Sequence, residues 1–149
     1  MKHVFDTNVL IDGFQDDFSA QAKLVEAVRD GELQALVTSA VVREYRNILR
    51  RLIEDPHYTD RIEDFLHMAT EVEPVRVEIE IDDPDDYKFL QAAVGGGAQA
   101  LVTSDRHLLD VGHIDGIDIL TPQEAWSRFS DESGSSSEWQ DFVRGIGIG

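Results

Sequence analysis

The chain has 149 residues, of which 30 are acidic and 13 basic, and its formal net charge is −17. This length allows one domain with a full hydrophobic core. The absence of cysteine excludes disulfides, thiolate metal sites and a cysteine nucleophile. No apolar run is long enough to predict a transmembrane helix, and the N-terminus lacks the pattern of a signal peptide. A cytoplasmic location is the simplest expectation.

The acidic excess carries two further expectations. The only lysines are Lys2, Lys23 and Lys88. Excess acid with scarce lysine is typical of proteins in concentrated salt, where a short Debye length screens self-repulsion. We therefore interpret the composition as that of a halophilic-type acidic protein. The same charge disfavours broad attraction to nucleic acid, so a polyanionic substrate would need a metal bridge, local arginines or screening by salt.

The predicted elements alternate between strand and helix from the first residues onward. Gly31 is expected to end the second helical segment, Ser39 to cap the next helix and Pro56 to stop it. The first half of the chain is expected to form a strand at 4–6, helical segments at 7–14 and 18–29, a strand at 33–38, a helix from 39 to about 53 and a helix at 57–70.

The second half continues this alternation. Residues 74–81 alternate between apolar and polar with period two, which predicts a half-exposed strand at a sheet edge. The later segments are expected to form a helix at 85–94 closed by Gly95–Gly97, a strand at 100–103, a brief helix up to 109, a strand at 117–120 and a helix at 122–129. This order predicts βαβ units, a mostly parallel sheet and an α/β fold.

The composition changes after residue 129, which we take as the end of the folded domain. Residues 130–149 begin with a run of serine, glycine and acid that is typical of a flexible linker. The remaining tail has apolar residues at helical spacing, namely Trp139, Phe142, Val143 and Ile146. We expect a short helix that docks on its own domain or stays frayed, and a partner-binding segment is the alternative.

Two carboxylates directly follow predicted buried strands. Asp6 ends the strand Val4-Phe5, and Asp105 follows the strand at 100–103. Each carboxylate could cap the helix that follows it. The carboxyl edge of a parallel sheet is also where metal and phosphate sites are commonly built. If the two strands are neighbours, both acids lie in one crevice, which favours a site over two separate caps.

Glu44 is harder to explain by capping. It lies in the second turn of its predicted helix, beyond the positions where a carboxylate helps the helix start. Its helical neighbours Val41 and Ile48 are apolar, so Glu44 lies beside the buried stripe. A free carboxylate is costly there unless it is paired or bound to metal. Pairing with Arg43 or Arg51 is the alternative.

A third group of acids surrounds Pro84, and its members are Asp82, Asp83, Asp85 and Asp86. Pro84 fits the first helical position with Asp83 as the cap. The remaining acids exceed what a cap needs and favour a cation, while a solvated acidic loop stays open as the alternative. Oxygen ligands without cysteine, and without histidine at ligand spacing, favour Mg²⁺ or Mn²⁺. Such an ion suits phosphodiester hydrolysis.

Four segments that contain these acids occur in an order and spacing typical of one family. They are Val4–Leu10, Ser39–Tyr45, Asp83–Leu90 and Leu101–Leu109, and Ile119–Glu124 follows them. Together they resemble the PIN domain family of metal-dependent nucleases, which includes VapC-type toxins. The resemblance covers residues 1–129. It implies a three-layer α/β/α fold with helices on both faces of a central parallel sheet in the order 3-2-1-4-5.

The resemblance also implies the residues of a site. Asp6, Glu44, Asp86 and Asp105 would be catalytic and would hold one or two Mg²⁺ or Mn²⁺ ions. Asn8 and Thr103 would support them through hydrogen bonds. Asp86 is the preferred ligand within its motif because it lies two residues before Lys88, and Asp85 is the alternative.

The implied activity is that of an endoribonuclease, specifically the toxin of a toxin–antitoxin pair. A small antitoxin protein and a second copy of the chain in a homodimer are the implied partners, beside the RNA substrate. Arg43, Arg46 and Arg50 lie within about two turns of one helix. They are candidate RNA contacts, although offsetting nearby acids is the more ordinary role.

Two other classes of function remain open at this point. A catalytically inactive PIN module that binds RNA or protein is the first, and the presence of all four acids speaks against it. An acidic receiver-like signalling domain is the second. That class needs paired acids after the first strand, whereas Asp6 is followed by Thr7 and Asn8, and it needs a lysine after a later strand, whereas Lys88 lies on a predicted helix.

Overall fold

A six-stranded sheet forms the centre of the computed structural model, which describes residues 1–52, 54–81 and 83–133. The strand order is β3-β2-β1-β4-β6-β5, and all neighbouring pairs are parallel except β5 with β6. The strands are β1 (Lys2–Phe5), β2 (Gln34–Val37), β3 (Thr70–Glu71), β4 (Ala100–Val102), β5 (His113–Ile114) and β6 (Ile117–Leu120).

Seven α-helices and one short 3-10 turn, Pro84–Asp86, connect the strands in the described residues. The helices are α1 (Thr7–Gln15), α2 (Ala20–Arg29), α3 (Ser39–Leu52), α4 (Pro56–Met68), α5 (Tyr87–Gly96), α6 (Arg106–Val111) and α7 (Pro122–Ser133). Helix α5 packs on β1, β2 and β4, while α2 contacts α1, α4 and α7. This three-layer arrangement confirms the predicted fold class.

The predicted strand order 3-2-1-4-5 is recovered with one addition. The extra strand is β5, which forms a tight hairpin with β6 through Asp115 (φ 49°) and Gly116 (φ 83°). The strand expected at 117–120 is therefore the sixth in the chain. Because β5 has only two residues, it carries no periodic signal in the sequence.

The prediction of a strand at 74–81 is wrong. The strand that pairs with β2 is the two-residue β3, and residues 74–81 form no ladder with any described strand. The alternating pattern is nevertheless real, because Val77 is buried while Arg76 and Glu78 are exposed. One side of this segment packs on the core, but none of the described strands pairs with it.

Two helix boundaries also differ from the prediction. The side chain that caps α3 is Thr38, whose Oγ1 accepts from the Val41 amide (3.3 Å), and Ser39 is already helical. Pro56 begins α4 behind the capping carboxylate of Asp55, because proline fits the first helical turn.

At the other end of the chain, α7 continues four residues beyond the predicted 129. Residues 134–149, which include the predicted tail helix, lie outside the described part.

An aromatic cluster centred on Phe65 ties the helices to the first strand. Phe5, Phe14 and Tyr45 meet the Phe65 ring edge-on, with centroids 6.1–6.4 Å apart. The buried Tyr45 hydroxyl also donates to the Phe5 carbonyl oxygen. These contacts fix α3 against the end of β1. No described helix is long and apolar enough to cross a membrane.

The triple glycine has a packing role that the sequence did not reveal. Only Gly97, with φ 65°, ends α5, whereas Gly95 and Gly96 belong to the helix. A Cβ atom on Gly95 would lie 2.1 Å from the carbonyl oxygen of Glu73. The backbone that follows β3 therefore crosses α5 at a distance that only glycine allows.

Candidate active site

Neighbouring strands β1 and β4 bring two predicted site residues together at the carboxyl edge of the sheet. Phe5 pairs with Val102, so the residues that follow them, Asp6 and Thr103, lie side by side. Thr103 Oγ1 donates to Asp6 Oδ2 (2.8 Å) and accepts from the Asp105 amide (3.0 Å). The threonine thus orients the Asp6 carboxylate and holds the backbone of Asp105.

Asp6 is almost fully buried, with 6% of its surface exposed. Its pKa is raised, chiefly because burial removes water from the carboxylate, while hydrogen bonds from Thr103 and the Asn8 amide act in the opposite direction. The charges of Glu44 and Asp105 raise the pKa further. Asp6 also caps α1 through the Asn8 amide (3.3 Å). The sequence allowed a cap or a site residue, and the geometry is compatible with both at once.

Glu44 lies in the second turn of α3, and both of its carboxylate oxygens are occupied. Lys88 Nζ lies 2.7 Å from Oε1, and Thr7 Oγ1 donates to Oε2 (2.5 Å). The pair is largely shielded, since 24% of the Lys88 side chain and 16% of the Glu44 side chain are exposed. The partner of Glu44 is thus a lysine on α5, and neither Arg43 nor Arg51 takes that place.

Asp86 and Asp105 form a pair of carboxyl groups beside Asp6. Burial, a hydrogen bond to Asp105 and the charges of Asp105, Asp6 and Asp83, in that order, raise the pKa of Asp86 to about 7. Asp105 caps α6 by accepting from the His107 amide (2.8 Å). Two carboxyl groups this close are costly to ionise together. A cation bound beside them would lower that cost.

The remaining predicted residues lie around these four acids in different roles. Asp85 is exposed, and its amide donates to the capping carboxylate of Asp83 (2.9 Å), so the chain turns Asp86 toward Asp105 instead. Asn8 contributes its backbone amide, while its side chain is exposed. The position of Asp82 lies outside the described residues.

Three of the four arginines of α3 are the predicted RNA contacts, and two of these three pair with an acid of α4. Arg46 and Arg50 both pair with Glu63 of α4, at 2.8 and 3.4 Å. Arg43 is exposed on the same helix. The pairing favours the ordinary role, in which Arg46 and Arg50 offset a nearby acid.

Sequence reasoning missed two polar residues of the site, Thr7 and Lys88. Thr7 is 3% exposed, and its hydroxyl reaches a helix that begins more than thirty positions later. Lys88 was noted only as part of a motif. A buried threonine at the first helical position and a lysine two residues after Asp86 are visible in the sequence, but nothing there assigns Glu44 as their common partner.

The four carboxylates Asp6, Glu44, Asp86 and Asp105 form what we call the acid cluster. Their chemistry fits a hard divalent cation, because the donors are all oxygens and because burial together with the neighbouring acids raises the pKa of Asp6 and of Asp86. Among the described residues no three acidic or histidine side chains stand as a formed metal cage. Small side-chain rotations would therefore have to accompany binding. Beside Asp86 lies a cavity of about 230 Å³.

Comparison with known proteins agrees with this geometry. The sequence profile of the PIN domain matches residues 2–107. The structure resembles that of VapBC2 from Rickettsia felis, bound to a DNA fragment from its promoter, with a TM-score of 0.57 and 13% identity over 80% of this chain and 97% of that one. PAE2754 from Pyrobaculum aerophilum gives a TM-score of 0.58 and 20% identity over 89% and 91%. Among curated proteins, none matches this chain.

The two solved structures are similar in fold, and their identities are too low to carry more than that. The PIN profile, in contrast, spans all four acids of the cluster, since its range runs from β1 into α6. With this match over most of the sequence, the chain belongs to the PIN domain family, whose members are generally nucleases.

Proposed function

We propose that this protein is a Mg²⁺- or Mn²⁺-dependent endoribonuclease that acts as the toxin of a toxin–antitoxin pair. The observation that carries the proposal is the convergence of four carboxylates at one place in the fold, with the Asp86–Asp105 pair next to the buried Asp6. Such a group of crowded carboxylates at the carboxyl edge of a parallel sheet is costly without a cation. A bound catalytic cation would offset that cost, and this is why the cluster supports a metal-dependent nuclease.

In this proposal Asp6, Asp86 and Asp105 hold the cation and Thr103 fixes the Asp6 carboxylate. When bound, the cation supplies the positive charge that activates water and offsets the charge developing on the phosphate. Glu44 positions the attacking water or accepts its proton. Lys88 and Thr7 hold both oxygens of Glu44, so its orientation is set before substrate arrives. The cavity beside Asp86 leaves room for substrate next to the acids.

Cleavage of single-stranded RNA with Mn²⁺ tests the activity. The natural chain should cut RNA, and Asp6→Asn should lower the rate by at least about 100-fold, since it removes a buried ligand charge and leaves the shape unchanged. Glu32→Gln is the matched control and should retain the rate, because this exposed carboxylate precedes β2 and so lies at the opposite, amino edge of the sheet. Equal rates for the natural chain and Asp6→Asn would overturn the assignment.

The toxin role has its own support and its own test. The Rickettsia felis structure is a VapBC complex, and an inhibitor with a basic side chain would fit a cluster of four acids. Production of the natural chain in a bacterial host should arrest growth, and production of Asp6→Asn should not. Growth that is indifferent to both would argue for a nuclease outside toxin–antitoxin biology. A homodimer stays a proposal that sedimentation can check.

A further inference from the structure

Residues 76–81 have the features of a strand whose neighbour is missing. Val77 is buried, with 3% of its surface exposed, and Ile79 and Ile81 pack against the core. Arg76, Glu78 and Glu80 alternate with them and are exposed. This period of two is typical of an extended chain with one face on a core.

Val77 makes the backbone hydrogen bonds that the described structure gives for this segment. Val77 donates its N–H to the hydroxyl of Tyr87 (2.8 Å), and the same hydroxyl donates to the Val77 carbonyl (2.9 Å). Both polar groups of Val77 thus point toward α5. In an extended chain the groups of the next residues point the opposite way, which directs those of Arg76, Glu78 and Glu80 outward.

These outward groups form a free edge. Over the part of the chain that the structure describes, residues 76–81 make no backbone–backbone hydrogen bond. Proteins usually protect such an edge with proline, with charged side chains and lysine above all, with a bulge or with a covering element. Here the segment contains neither proline nor lysine, and the side chains on its outward positions are one arginine and two glutamates. Three residues whose N–H and C=O groups have no backbone partner among the described residues are a template for a further strand.

Charge selects the kind of strand that fits. Arg76 forms an ion pair with Glu78 (3.1 Å). The net charge beside the edge is therefore set by Glu80 and by the following Asp83 and Asp85, and it is negative. A second copy of the chain would bring another net charge of −17 and more glutamates to the same edge. RNA carries negative charge as well and has no backbone amides to pair. A basic strand matches both the edge and its charge.

We propose that residues 76–81 are the docking edge for a basic β-strand of a partner protein, which pairs with the backbone of Arg76, Glu78 and Glu80. Because this segment leads directly to the turn at Asp83–Asp86, a strand bound there ends beside the acid cluster. The inference rests on the proposed function only where it identifies the partner as the inhibitor of that cluster. Strand pairing itself requires no catalysis.

A model peptide tests the pairing on the full chain. The probe is a peptide of about eight residues that alternates lysine and valine, and its control is the same peptide N-methylated on alternate amides, which keeps the charge but removes the pairing donors. Amide exchange at Arg76, Glu78 and Glu80 should slow by about tenfold or more with the probe. The N-methylated peptide should bind about tenfold or more weakly.

A pair of variants tests the same edge from the side of the protein. Glu78→Pro removes one outward N–H and should weaken probe binding by about tenfold, because proline cannot donate to a ladder. Glu78→Ala keeps that N–H and should bind the probe within about threefold of the natural chain, since an exposed charge contributes little. If Glu78→Pro does not fold, the comparison of the two peptides still decides.

Three results would overturn the docking edge. They are equal binding of both peptides, no protection of the three amides by the probe, and protection of these amides by RNA or by self-association without the probe. The proposed nuclease can fail separately. Protected amides in a chain that cuts no RNA would keep the docking edge and reject the endoribonuclease.

Discussion

Three of the four carboxylates of the acid cluster have a structural role in addition to their proposed chemistry. Asp6 and Asp105 cap α1 and α6, and Glu44 joins α3 to α5 through Lys88. Substitution of any of these acids therefore changes local structure together with the charge of the site. Activity data on them are interpretable only beside a measurement of folding.

Lys88 offers the sharpest test of this coupling. Lys88→Met should lower the rate of RNA cleavage by about tenfold or more and reduce the free energy of unfolding by about 1–3 kcal/mol, because Glu44 would keep a half-buried carboxylate without its cation. Lys88→Arg should restore part of the cleavage rate and part of the lost free energy of unfolding. Initial rates and urea unfolding are the measurements.

Lys23→Met is the matched control for this prediction. Lys23 lies over the Trp126 ring (5.8 Å) and pairs with no acid of the cluster, so its loss should leave the cleavage rate unchanged. If Lys88→Met cleaved RNA as fast as the natural chain, the orientation of Glu44 would not depend on this lysine.

His3 predicts a pH dependence of stability. It is fully buried, and neither ring nitrogen has a hydrogen-bond partner among the described residues. Burial, then the charges of the N-terminus and Arg128, lower the pKa of His3 from 6.5 to about 4. Between these values the unfolded chain binds a proton that the folded chain does not, so stability should fall by up to about 3 kcal/mol as the pH drops through this window.

His3→Leu should remove this contribution. The free energy of unfolding of the natural chain should therefore fall more steeply than that of His3→Leu between pH 6.5 and about 4, while at pH 7 the variant should be at least as stable. His57→Leu, on an exposed histidine, should follow the natural chain. Parallel curves for the natural chain and His3→Leu would contradict the prediction.

At the residue scale the sequence carries a signal for the acids but none for the groups that hold them. Asp6 and Asp105 are predictable as site candidates because each follows a buried strand, which is a local signal. Thr7 and Lys88 were missed as site residues because their partner Glu44 is distant along the chain. Only the packing of α3 against α1 and α5 brings them together.

Elements were predictable where periodicity and capping agree. Helix α5 and strands β1, β2, β4 and β6 lie close to their predicted positions because their apolar patterns are fully used by one core. The pattern at 74–81 is equally clear, yet β3 takes the place beside β2. Period two indicates an extended chain with one buried face, and it does not reveal whether another strand lies beside it.

The crossing of α5 by the segment after β3 gives a prediction at the element scale. An alanine normally stabilises a helix interior relative to glycine by about 1 kcal/mol. Gly95→Ala should do the opposite and lower the free energy of unfolding by about 1–3 kcal/mol, because the new Cβ meets the Glu73 carbonyl oxygen at 2.1 Å. Thermal and urea unfolding provide the measurement.

Gly97→Ala separates close packing from backbone strain. No atom lies within 4 Å of a Cβ at Gly97, but its φ is 65°, so the cost should be only about 1 kcal/mol. A Gly95→Ala chain as stable as the natural one would show that the segment after β3 can move away from α5.

On the scale of the whole molecule the net charge of −17 should dominate the response to salt. Described ion pairs such as Arg46–Glu63 are partly exposed, and each contributes only about 0–1 kcal/mol. Raising KCl from about 0.1 M to 1 M shortens the Debye length from about 10 Å to 3 Å and screens the general repulsion. We expect the midpoint of thermal unfolding to rise by several degrees.

The choice of salt is the control for this prediction. KCl is preferred over sulfate because sulfate strengthens apolar burial in any protein. A melting midpoint that is flat or falls between these KCl concentrations would reject the halophilic interpretation and indicate that specific ion pairs outweigh the repulsion.

The hydrogen bond from the Tyr45 hydroxyl to the Phe5 carbonyl oxygen makes two acids of the cluster, Asp6 and Glu44, more rigid than the other two, Asp86 and Asp105. Asp6 follows Phe5 and Glu44 precedes Tyr45 in the sequence, and this bond joins Phe5 to Tyr45, so the amides of Asp6 and Glu44 should exchange hydrogen only when the whole domain unfolds. Asp86 ends a three-residue turn and Asp105 caps a six-residue helix, and such short elements should open at lower free energy. Cation binding should therefore slow hydrogen exchange at the amides of Asp86 and Asp105 alone. Exchange at Asp6 and Glu44 should stay unchanged, because these two residues are already held rigidly before the cation binds.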